Sequence, residues 1–440
     1  MKKIAYTNCT LLDGTSKDMQ PQENMAVIVE GEKIVDVCKA ADVPADAEKE
    51  DLDGAYLMPG LINLHAHLPA GGKPMKGGYG GGLKNGLALL KKMALGRKIM
   101  RSLTYGNAQK ELYGGVTTVR AVGGLHDSDT FVRDQINKGK KVGPRILAAN
   151  EAVAPPNGHM GGTVAKVCET KEDAVKMVAD LVDQKPDLIK LMITGGVLDA
   201  KEVGEPPLRM EPDWVKACCD KAHELGFQVA AHVESAEGVK VALENGVDTI
   251  EHGAVLTPEI IQLFKDRDAA LICTISPAVS MVFFGKEMLS DPLYLENGKI
   301  VFEGLVKGVK AARENGINIG LGNDVGCPYV DHSEFWRELV YFSDWVGTSP
   351  AEAIYTATMS NAKIVGLDKV TGSIEAGKDA DFIVLKKNPL DDLCNLRNPE
   401  LVCARGHVVK NPPYNVPQDT QDHLDAVMHK PVPENVNIDL

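Results

Sequence analysis

Residues 222–252 read AHELGFQVAAHVESAEGVKVALENGVDTIEH and contain the pattern that decides the fold. The form Ala-x-Glu-x-Gly occurs at 222–226 and again at 242–246, and each copy ends a helical pattern with a glycine, where helices commonly stop. An apolar strand follows each copy and ends in a histidine, first His232 and then His252. This alternation of helix and strand is typical of a parallel α/β sheet.

The same alternation extends over residues 59–367 and predicts the architecture. A third copy, at 312–316, precedes a strand that leads to Asp324. Eight strand candidates begin near positions 61, 116, 145, 188, 228, 248, 270 and 318. Eight such units close a (β/α)8 TIM-like barrel, whose active sites lie at the carboxyl ends of the strands. A doubly wound sheet also has helix–strand repeats, but the count of eight favours the barrel.

The two ends of the chain have a different texture. Residues 1–58 and 368–440 contain short β-rich runs that are separated by turn-forming residues. Because both ends share this character, we expect one small β-sandwich built from 1–58 plus 368–440. The barrel then occupies residues 59–367.

Composition and charge narrow the class of function. The chain has 440 residues and a formal net charge of −13, which disfavours a nucleic-acid surface and an anionic membrane. No unbroken apolar run is long enough to suggest a membrane span or a signal peptide. The nine cysteines include no C-x-x-C pair, so we expect reduced thiols rather than a disulfide framework. These features favour a cytoplasmic protein that acts on a small molecule.

The segment Met58-Pro-Gly-Leu-Ile-Asn-Leu-His65-Ala-His67 is an apolar strand that ends in His-x-His. Side chains two positions apart on a strand share one face, so both imidazoles point to one site and make a suitable pair for a divalent metal. His232 and His252, each at the end of its own strand, are candidates for the same site. Either one alone would more often be a hydrogen-bonded histidine of the core.

Lys190 lies inside the apolar run Asp187-Leu-Ile-Lys-Leu-Met-Ile-Thr-Gly-Gly196 and is expected to point into the barrel. Burial favours the neutral amine, which reacts with CO2 to form a carbamate, an anionic ligand with two oxygens. The alternative is a structural lysine that is paired with a carboxylate. Asp324, which lies among glycines in Gly320-Leu-Gly-Asn-Asp-Val-Gly326, is able to bind metal and to accept a proton.

At these residues the chain resembles the amidohydrolase superfamily, and within it the imidazolonepropionase-like branch that includes zinc-dependent Xaa-Pro, Xaa-Arg and Xaa-Lys dipeptidases. The likeness covers nearly the whole chain. The matching segments are Met58-Pro-Gly-Leu-Ile-Asn-Leu-His-Ala-His, Gly115-Val-Thr-Thr-Val-Arg, Ile189-Lys-Leu-Met-Ile-Thr-Gly-Gly, Ile250-Glu-His-Gly, Ser349-Pro-Ala-Glu-Ala-Ile and Gly372-Ser-Ile-Glu-Ala-Gly-Lys-Asp-Ala-Asp.

This resemblance implies two divalent metal ions, for which we expect zinc, although manganese, cobalt and iron also suit such ligands. It implies that one ion binds to His65, His67 and Asp324 and the other to His232 and His252. A carbamate on Lys190 would bridge them, and Asp324 would act as the general base and then the general acid. The family's habit also suggests a homo-oligomer.

The implied reaction is hydrolysis of an amide or peptide bond in a dipeptide or an N-acyl amino acid, by a hydroxide that bridges the metals. Opening of a cyclic amide or carbamate, or deamination, is the second reading, and the lysine at position 190 disfavours it because related mononuclear deaminases lack that lysine. A non-catalytic scaffold is the third, but a scaffold has no reason to keep a complete ligand set.

Departures from the family pattern concern substrate binding. Relatives usually carry His-Ala-Tyr where this chain has His232-Val-Glu234, and Val-Arg-Asp where it has Val119-Arg-Ala121. Glu234 suggests a substrate with a positive charge near the scissile bond, or else a glutamate that caps the next helix. His159 and Arg209 are further substrate-contact candidates, and the glycine-rich stretch 71–86 is expected to form an entrance loop.

Overall fold

The computed structural model of the chain describes residues 2–72, 91, 93–199, 201–288 and 291–440. From residue 73 onward, the predicted entrance loop lies outside these described residues. Within them, no helix is long and apolar enough to cross a membrane.

The strands of the described residues belong to three sheets. Their bounds are β1 Lys3–Leu11, β2 Gln22–Glu30, β3 Lys33–Lys39, β4 Glu48–Asp51, β5 Tyr56–Pro59, β6 Leu61–Ala66, β7 Val116–Ala121, β8 Arg145–Ala148, β9 Ala152–Ala154, β10 Ala165–Val167, β11 Leu188–Met192, β12 Gln228–Val233, β13 Thr249–His252, β14 Ala270–Cys273, β15 Asn318–Leu321, β16 Phe382–Leu385, β17 Leu401–Ala404 and β18 His407–Lys410.

The α-helices of the described residues lie mainly between the strands of the middle region. Their bounds are Ala94–Tyr113, Ser128–Asn137, Lys171–Asp180, Pro212–Glu224, Ala236–Glu244, Pro258–Arg267, Ser276–Met288, Pro292–Glu314, Phe335–Tyr341, Pro350–Tyr355, Asn361–Ile364 and Gln418–Asp425. Shorter 3-10 segments are Ala40–Asp42, Leu181–Gln184, Val197–Asp199 and Leu393–Leu396, and π-helical segments are Phe342–Val346 and Thr356–Ser360.

Strands from both ends of the chain form one eight-stranded sheet, in the order β18-β17-β16-β5-β1-β2-β3, with β4 paired to β1. Both ends of the chain thus contribute strands to one continuous sheet, and its packing as a β-sandwich stays a prediction. Side chains from its two halves still meet in one apolar cluster, where the rings of Tyr6 and Phe382 lie 5.0 Å apart.

The middle region contains two parallel sheets, β6-β7-β8 and β10-β9-β11-β12-β13-β14-β15. All eight predicted strands are present at the expected positions, and their neighbours pair in parallel register. The glycines of the Ala-x-Glu-x-Gly copies end the helices as predicted, because Gly226, Gly246 and Gly316 adopt positive φ angles of 83°, 99° and 67°.

The C-terminal tail after β18 packs against helices of the middle region. Arg337, on the helix Phe335–Tyr341, forms a 2.6 Å ion pair with Asp425 of the tail. Lys310 donates a hydrogen bond to the carbonyl of Ile438, and Trp345 donates one to the carbonyl of Lys430. Residues 411–440 therefore contact the predicted barrel region directly, whereas we had assigned them to the sandwich. The division of the chain into two domains stays a prediction.

Candidate metal centre

Five of the predicted metal-binding side chains converge where the parallel strands end. His65 lies on β6 with His67 just after it, His232 and His252 lie on β12 and β13, and Asp324 follows β15. The ring centroid of His252 lies 4.8 Å from that of His65 and 4.8 Å from that of His232. Oδ1 of Asp324 lies 3.4 Å from Nε2 of His65 and 3.3 Å from Nε2 of His67. The geometry thus brings together residues that are up to 259 positions apart in the chain.

Two groups of side chains each offer three ligand atoms within 4.8 Å of one another. The first group contains His65, His67 and Asp324, as expected from the sequence. The second contains His232 and His252 together with Glu234, for which the sequence suggests a substrate contact or a helix cap. The structure therefore places a carboxylate in each group of candidate ligands.

Hydrogen bonds orient three of the four imidazoles through Nδ1. His65 Nδ1 lies 2.7 Å from a Glu251 oxygen, His67 Nδ1 lies 2.9 Å from the carbonyl of Gly123, and His252 Nδ1 lies 2.6 Å from the hydroxyl of Thr274. A ring that donates through Nδ1 keeps the lone pair of Nε2 free for a ligand. His232 is the exception, because its Nε2 lies 3.1 Å from the carbonyl of Gly195 and Nδ1 is left free.

Lys190, on β11, is 1% exposed, and its Nζ has no hydrogen-bond partner among the described residues. Burial lowers the pKa of Lys190 to about 8, so a substantial fraction of the amine is neutral near pH 7 to 8. The alternative of a structural lysine in a close pair with a carboxylate therefore has no support in this geometry. An unpartnered, buried amine is costly, which indicates that the native state supplies a further partner or modification.

Burial keeps His65, His232 and His252 neutral. Burial lowers the pKa values of His65 and His232 well below the ordinary range, and lowers that of His252 to about 4. Burial would raise the pKa of Asp324, but its interactions with His65 and His67 outweigh burial and hold that pKa low. Neutral imidazoles beside an ionised carboxylate are the protonation states that a divalent cation requires.

A buried ion pair behind His65 was missed by the sequence analysis. Arg120, on β7, donates hydrogen bonds of 2.7 and 2.9 Å to the two oxygens of Glu251, and the hydroxyl of Thr249 donates another of 2.7 Å. Glu251 is fully buried and accepts from His65 on its other side. Both residues belong to segments that match the family. A single carboxylate and a single arginine on apolar strands were the sequence signal for a buried ion pair.

Glycines leave room for two of the histidines. A Cβ on Gly322 would lie 2.4 Å from Cβ of His65 and 2.6 Å from its backbone nitrogen. A Cβ on Gly123 would lie 2.7 Å from the ring of His67. The glycines after β15 and β7 therefore allow neighbouring segments to approach the histidines closely.

The candidate ligands lie in a cavity of about 300 Å³. Its wall combines polar groups with apolar side chains, among them Val164, Met192, Pro277 and Met281. Cys327 also lines it, with Sγ 3.7 Å from Oδ2 of Asp324, and burial raises the pKa of this thiol well above its ordinary value. Cys327 is thus a neutral wall residue that the sequence analysis did not identify.

The three predicted substrate contacts have different outcomes. His159 lines the cavity, stacks on His232 at a ring distance of 4.1 Å and lies 3.1 Å from Asp199. Glu234 also lines it, and its Oε2 is buried without a hydrogen-bond partner among the described residues. Arg209 is not among the residues that line the cavity. Its backbone amide donates a hydrogen bond to the carbonyl of Ile193, and its Nε is buried near Gly195. The substrate contact of Arg209 stays a prediction.

Comparisons with known proteins agree with this arrangement. The profile of the amidohydrolase family matches residues 56–409, and that of the NagA composite domain matches residues 4–57. The chain is 36% identical to a candidate prolidase from Bifidobacterium longum, with a TM-score of 0.84 over 97% of this chain and 98% of that one. It is 29% identical to a Xaa-Pro dipeptidase whose crystal structure holds methionine in the active site, with a TM-score of 0.81 over 93% of this chain and 100% of that one.

A third relative is an ochratoxinase from Aspergillus niger, which is 24% identical over 88% of this chain and 82% of its own length. Since the family profile covers most of the sequence, the chain belongs to the amidohydrolase family. It is accordingly a hydrolase that acts on carbon–nitrogen bonds.

Proposed function

We propose that the chain is a metal-dependent hydrolase that cleaves the amide bond of a dipeptide or an N-acyl amino acid. The observation that carries this proposal is the buried amine of Lys190, which has no hydrogen-bond partner among the described residues and lines one cavity with four histidines and Asp324. A carbamate on this amine would supply two oxygens between the two groups of candidate ligands. Relatives described as a prolidase candidate and a Xaa-Pro dipeptidase support a peptide-like substrate.

The donor set fits two divalent ions. His65, His67 and Asp324 would hold one, and His232 and His252 the other, with the oxygens of a Lys190 carbamate shared between them. Imidazole and carboxylate ligands suit zinc, and each histidine has a hydrogen bond that directs its free nitrogen. When bound, such ions lower the pKa of water and polarise a carbonyl.

The protein's own residues supply binding and proton transfer. Asp324, whose pKa is held low, is ionised at neutral pH and is able to accept a proton and return it to the leaving amine. The cavity of about 300 Å³ matches a small substrate, and its apolar wall suits a hydrophobic side chain. Burial raises the pKa of Glu234 to about 8. A cationic group of the substrate beside its Oε2, which has no hydrogen-bond partner among the described residues, would favour the ionised carboxylate.

The two parallel sheets support closure into the predicted (β/α)8 barrel. The amide of Asp324 donates to the carbonyl of His65, and the amide of His67 donates to the carbonyl of Val325, which joins β15 to β6. At the other junction, the amide of Asp187 donates to the carbonyl of Ala148, which links β8 to the start of β11. Closure would explain why residues from strands far apart in the sequence share one cavity.

The test is metal stoichiometry by elemental analysis of protein expressed with zinc and bicarbonate, in wild type and in Lys190→Ala. Two active-site metals per chain that fall to one or none in the variant would support the shared carbamate. Lys378→Ala is the matched control, because Lys378 is also a buried lysine but hydrogen-bonds Ser373 outside this cavity. Equal metal content in wild type and Lys190→Ala would overturn the proposal and direct attention to mononuclear deamination chemistry. Screening of dipeptides and N-acyl amino acids with the loaded enzyme then identifies the substrate.

A further inference from the structure

A third group of metal-binding atoms lies away from the cavity. Oδ1 of Asp392, Sγ of Cys394 and a ring nitrogen of His429 fall within 4.8 Å of one another, and none of these residues lines the cavity. Asp392 and Cys394 lie at the 3-10 segment Leu393–Leu396, whereas His429 belongs to the C-terminal tail. The group therefore joins two segments that are 35 residues apart in the sequence.

Two distances within this group are close to those of tetrahedral zinc. Nε2 of His429 lies 3.4 Å from Sγ of Cys394 and 3.7 Å from Oδ1 of Asp392. With zinc–sulfur bonds of about 2.3 Å and zinc–nitrogen or zinc–oxygen bonds of about 2.0–2.2 Å, ligand atoms of one tetrahedron lie about 3.3–3.6 Å apart. The two distances from Nε2 of His429 therefore need only a small change to fit one ion.

Asp344 orients the ring of His429 in the way that is usual for a metal-binding histidine. Nδ1 of His429 lies 3.2 Å from Oδ2 of Asp344, which belongs to the π-helical segment Phe342–Val346. A ring that donates through Nδ1 to a carboxylate presents its Nε2 lone pair to Cys394 and Asp392. The adjacent Trp345 donates a hydrogen bond to the carbonyl of Lys430, which holds the tail in this position.

The local charge balance favours a cation. The nearby arginines, Arg337 and Arg397, are both paired with Asp425. Neither Asp344 nor Asp392 forms an ion pair with a lysine or arginine among the described residues. Two carboxylates beside one histidine and one thiol leave an excess of negative charge, and a carboxylate next to sulfur disfavours the free thiolate unless a cation is present.

We propose that Asp392, Cys394 and His429 form a peripheral zinc site that fastens the C-terminal tail to the body of the protein. Thiolate, imidazole and carboxylate together suit zinc better than magnesium or calcium, and water would complete the coordination. The site is distinct from the catalytic centre, so its loss leaves the hydrolytic reaction intact.

The experiment counts zinc per chain in the full-length protein after removal of metal by a chelator and reloading with zinc alone. Cys394→Ser and His429→Gln are each expected to bind one zinc fewer than wild type while keeping the hydrolytic rate. Cys38→Ser is the matched control, since Cys38 is a partly exposed thiol of β3 outside all three groups of ligands. Equal zinc content in wild type and both variants would overturn the proposal.

Cobalt provides a second readout that does not depend on activity. Cobalt-loaded wild type is expected to show a sulfur-to-cobalt charge-transfer absorption that Cys394→Ser lacks and Cys38→Ser retains. In limited proteolysis, zinc removal is expected to speed cleavage of the tail in wild type and to have no effect in His429→Gln. An absorption band that persists in Cys394→Ser would count against the site. Cleavage of the tail at the same rate with and without zinc would count against its fastening role.

Discussion

Glu234 stands in the cavity where many relatives have an uncharged tyrosine, and its Oε2 lacks a partner among the described residues. Burial raises the pKa of Glu234 to about 8, so the comparison is made at a pH above 8, where the carboxylate is ionised. For dipeptides with a free α-amino group, we expect Glu234→Gln to lower kcat/KM there by about 10- to 100-fold, the worth of a charge-assisted hydrogen bond. N-acetylated analogues carry no such charge, so their kcat/KM is expected to change little. An equal loss for both substrates, together with lost metal, would instead make Glu234 a ligand.

Glu251 has a supporting rather than a direct role, because it links His65 to Arg120. In Glu251→Gln the guanidinium of Arg120 loses its carboxylate partner, which is expected to cost about 3–5 kcal/mol of stability. His65 loses the acceptor that orients it, so metal affinity is expected to fall by about 10- to 100-fold. Chelator competition and chemical denaturation measure the two effects. Thr249→Val removes one neutral donor to the same carboxylate and one neutral acceptor from Arg120 but no charge, so it should have a smaller effect on both.

Glu338 makes the stability depend on pH. Burial raises its pKa to about 7, although Ile275 and Ser276 donate hydrogen bonds to it. Because the folded pKa exceeds the unfolded value of about 4.5, this group's contribution is complete below pH 4.5 and is lost as pH rises through 7. The slope should reach about 1.4 kcal/mol per pH unit, and about 3 kcal/mol in total.

Denaturation curves between pH 4.5 and 8 test this effect. Glu338→Gln does not titrate, so the variant is expected to lack this slope while being less stable overall, since the new amide group faces backbone donors. Wild type and variant with parallel pH profiles would contradict the assignment. Burial also raises the pKa of Asp129 to about 6. Asp129 is present in both proteins, so its titration contributes equally to both pH profiles and cancels in their difference.

At the scale of elements, the contact between the segment after β15 and β6 places His65 beside Asp324. Gly322→Ala would bring a methyl group within 2.6 Å of the His65 backbone, so the two segments have to separate. We expect a loss of about 1–3 kcal/mol in stability and weaker metal binding. Gly106→Ala is the control, because Gly106 is in the middle of the helix Ala94–Tyr113 with nothing within 4 Å of the added carbon. Gly106→Ala should be neutral or should stabilise the protein by about 0.5–1 kcal/mol. If Gly322→Ala caused no loss of stability or of metal binding, the two segments would have room to adjust.

For the whole molecule, Arg145 connects the middle region to the terminal sheet. From β8 it donates hydrogen bonds of 2.9 Å to Asp381 and 2.6 Å to Asp379. Arg145→Ala would leave these buried carboxylates without this partner, and we expect a loss of about 3–5 kcal/mol in thermal or chemical unfolding. Arg313→Ala, which removes an exposed pair with Glu352, is expected to cost about 1 kcal/mol or less. Similar losses in both variants would argue against a special role for the buried bridge.

Local pattern was sufficient for the elements and for much of the site. The alternation of apolar residues and the glycine stops predicted the eight parallel strands, because strand and helix periodicity depend only on neighbours in the sequence. His65 and His67 share a face for the same reason. The resemblance to a known family then connected them with Lys190, His232, His252 and Asp324 before any distance was known.

Tertiary structure alone decided the contacts between residues that are distant in the sequence. Nothing local to Glu251 or Arg120 indicates that they pair behind His65, and nothing local to the tail indicates that it carries His429 to Cys394. The sequence by itself determined the order of the elements and the residue types at the strand ends, since these follow from short-range periodicity. The pairing of buried charges and the course of the tail were decided by packing, because a buried polar group has to find its partner wherever the folded chain brings one within hydrogen-bond distance.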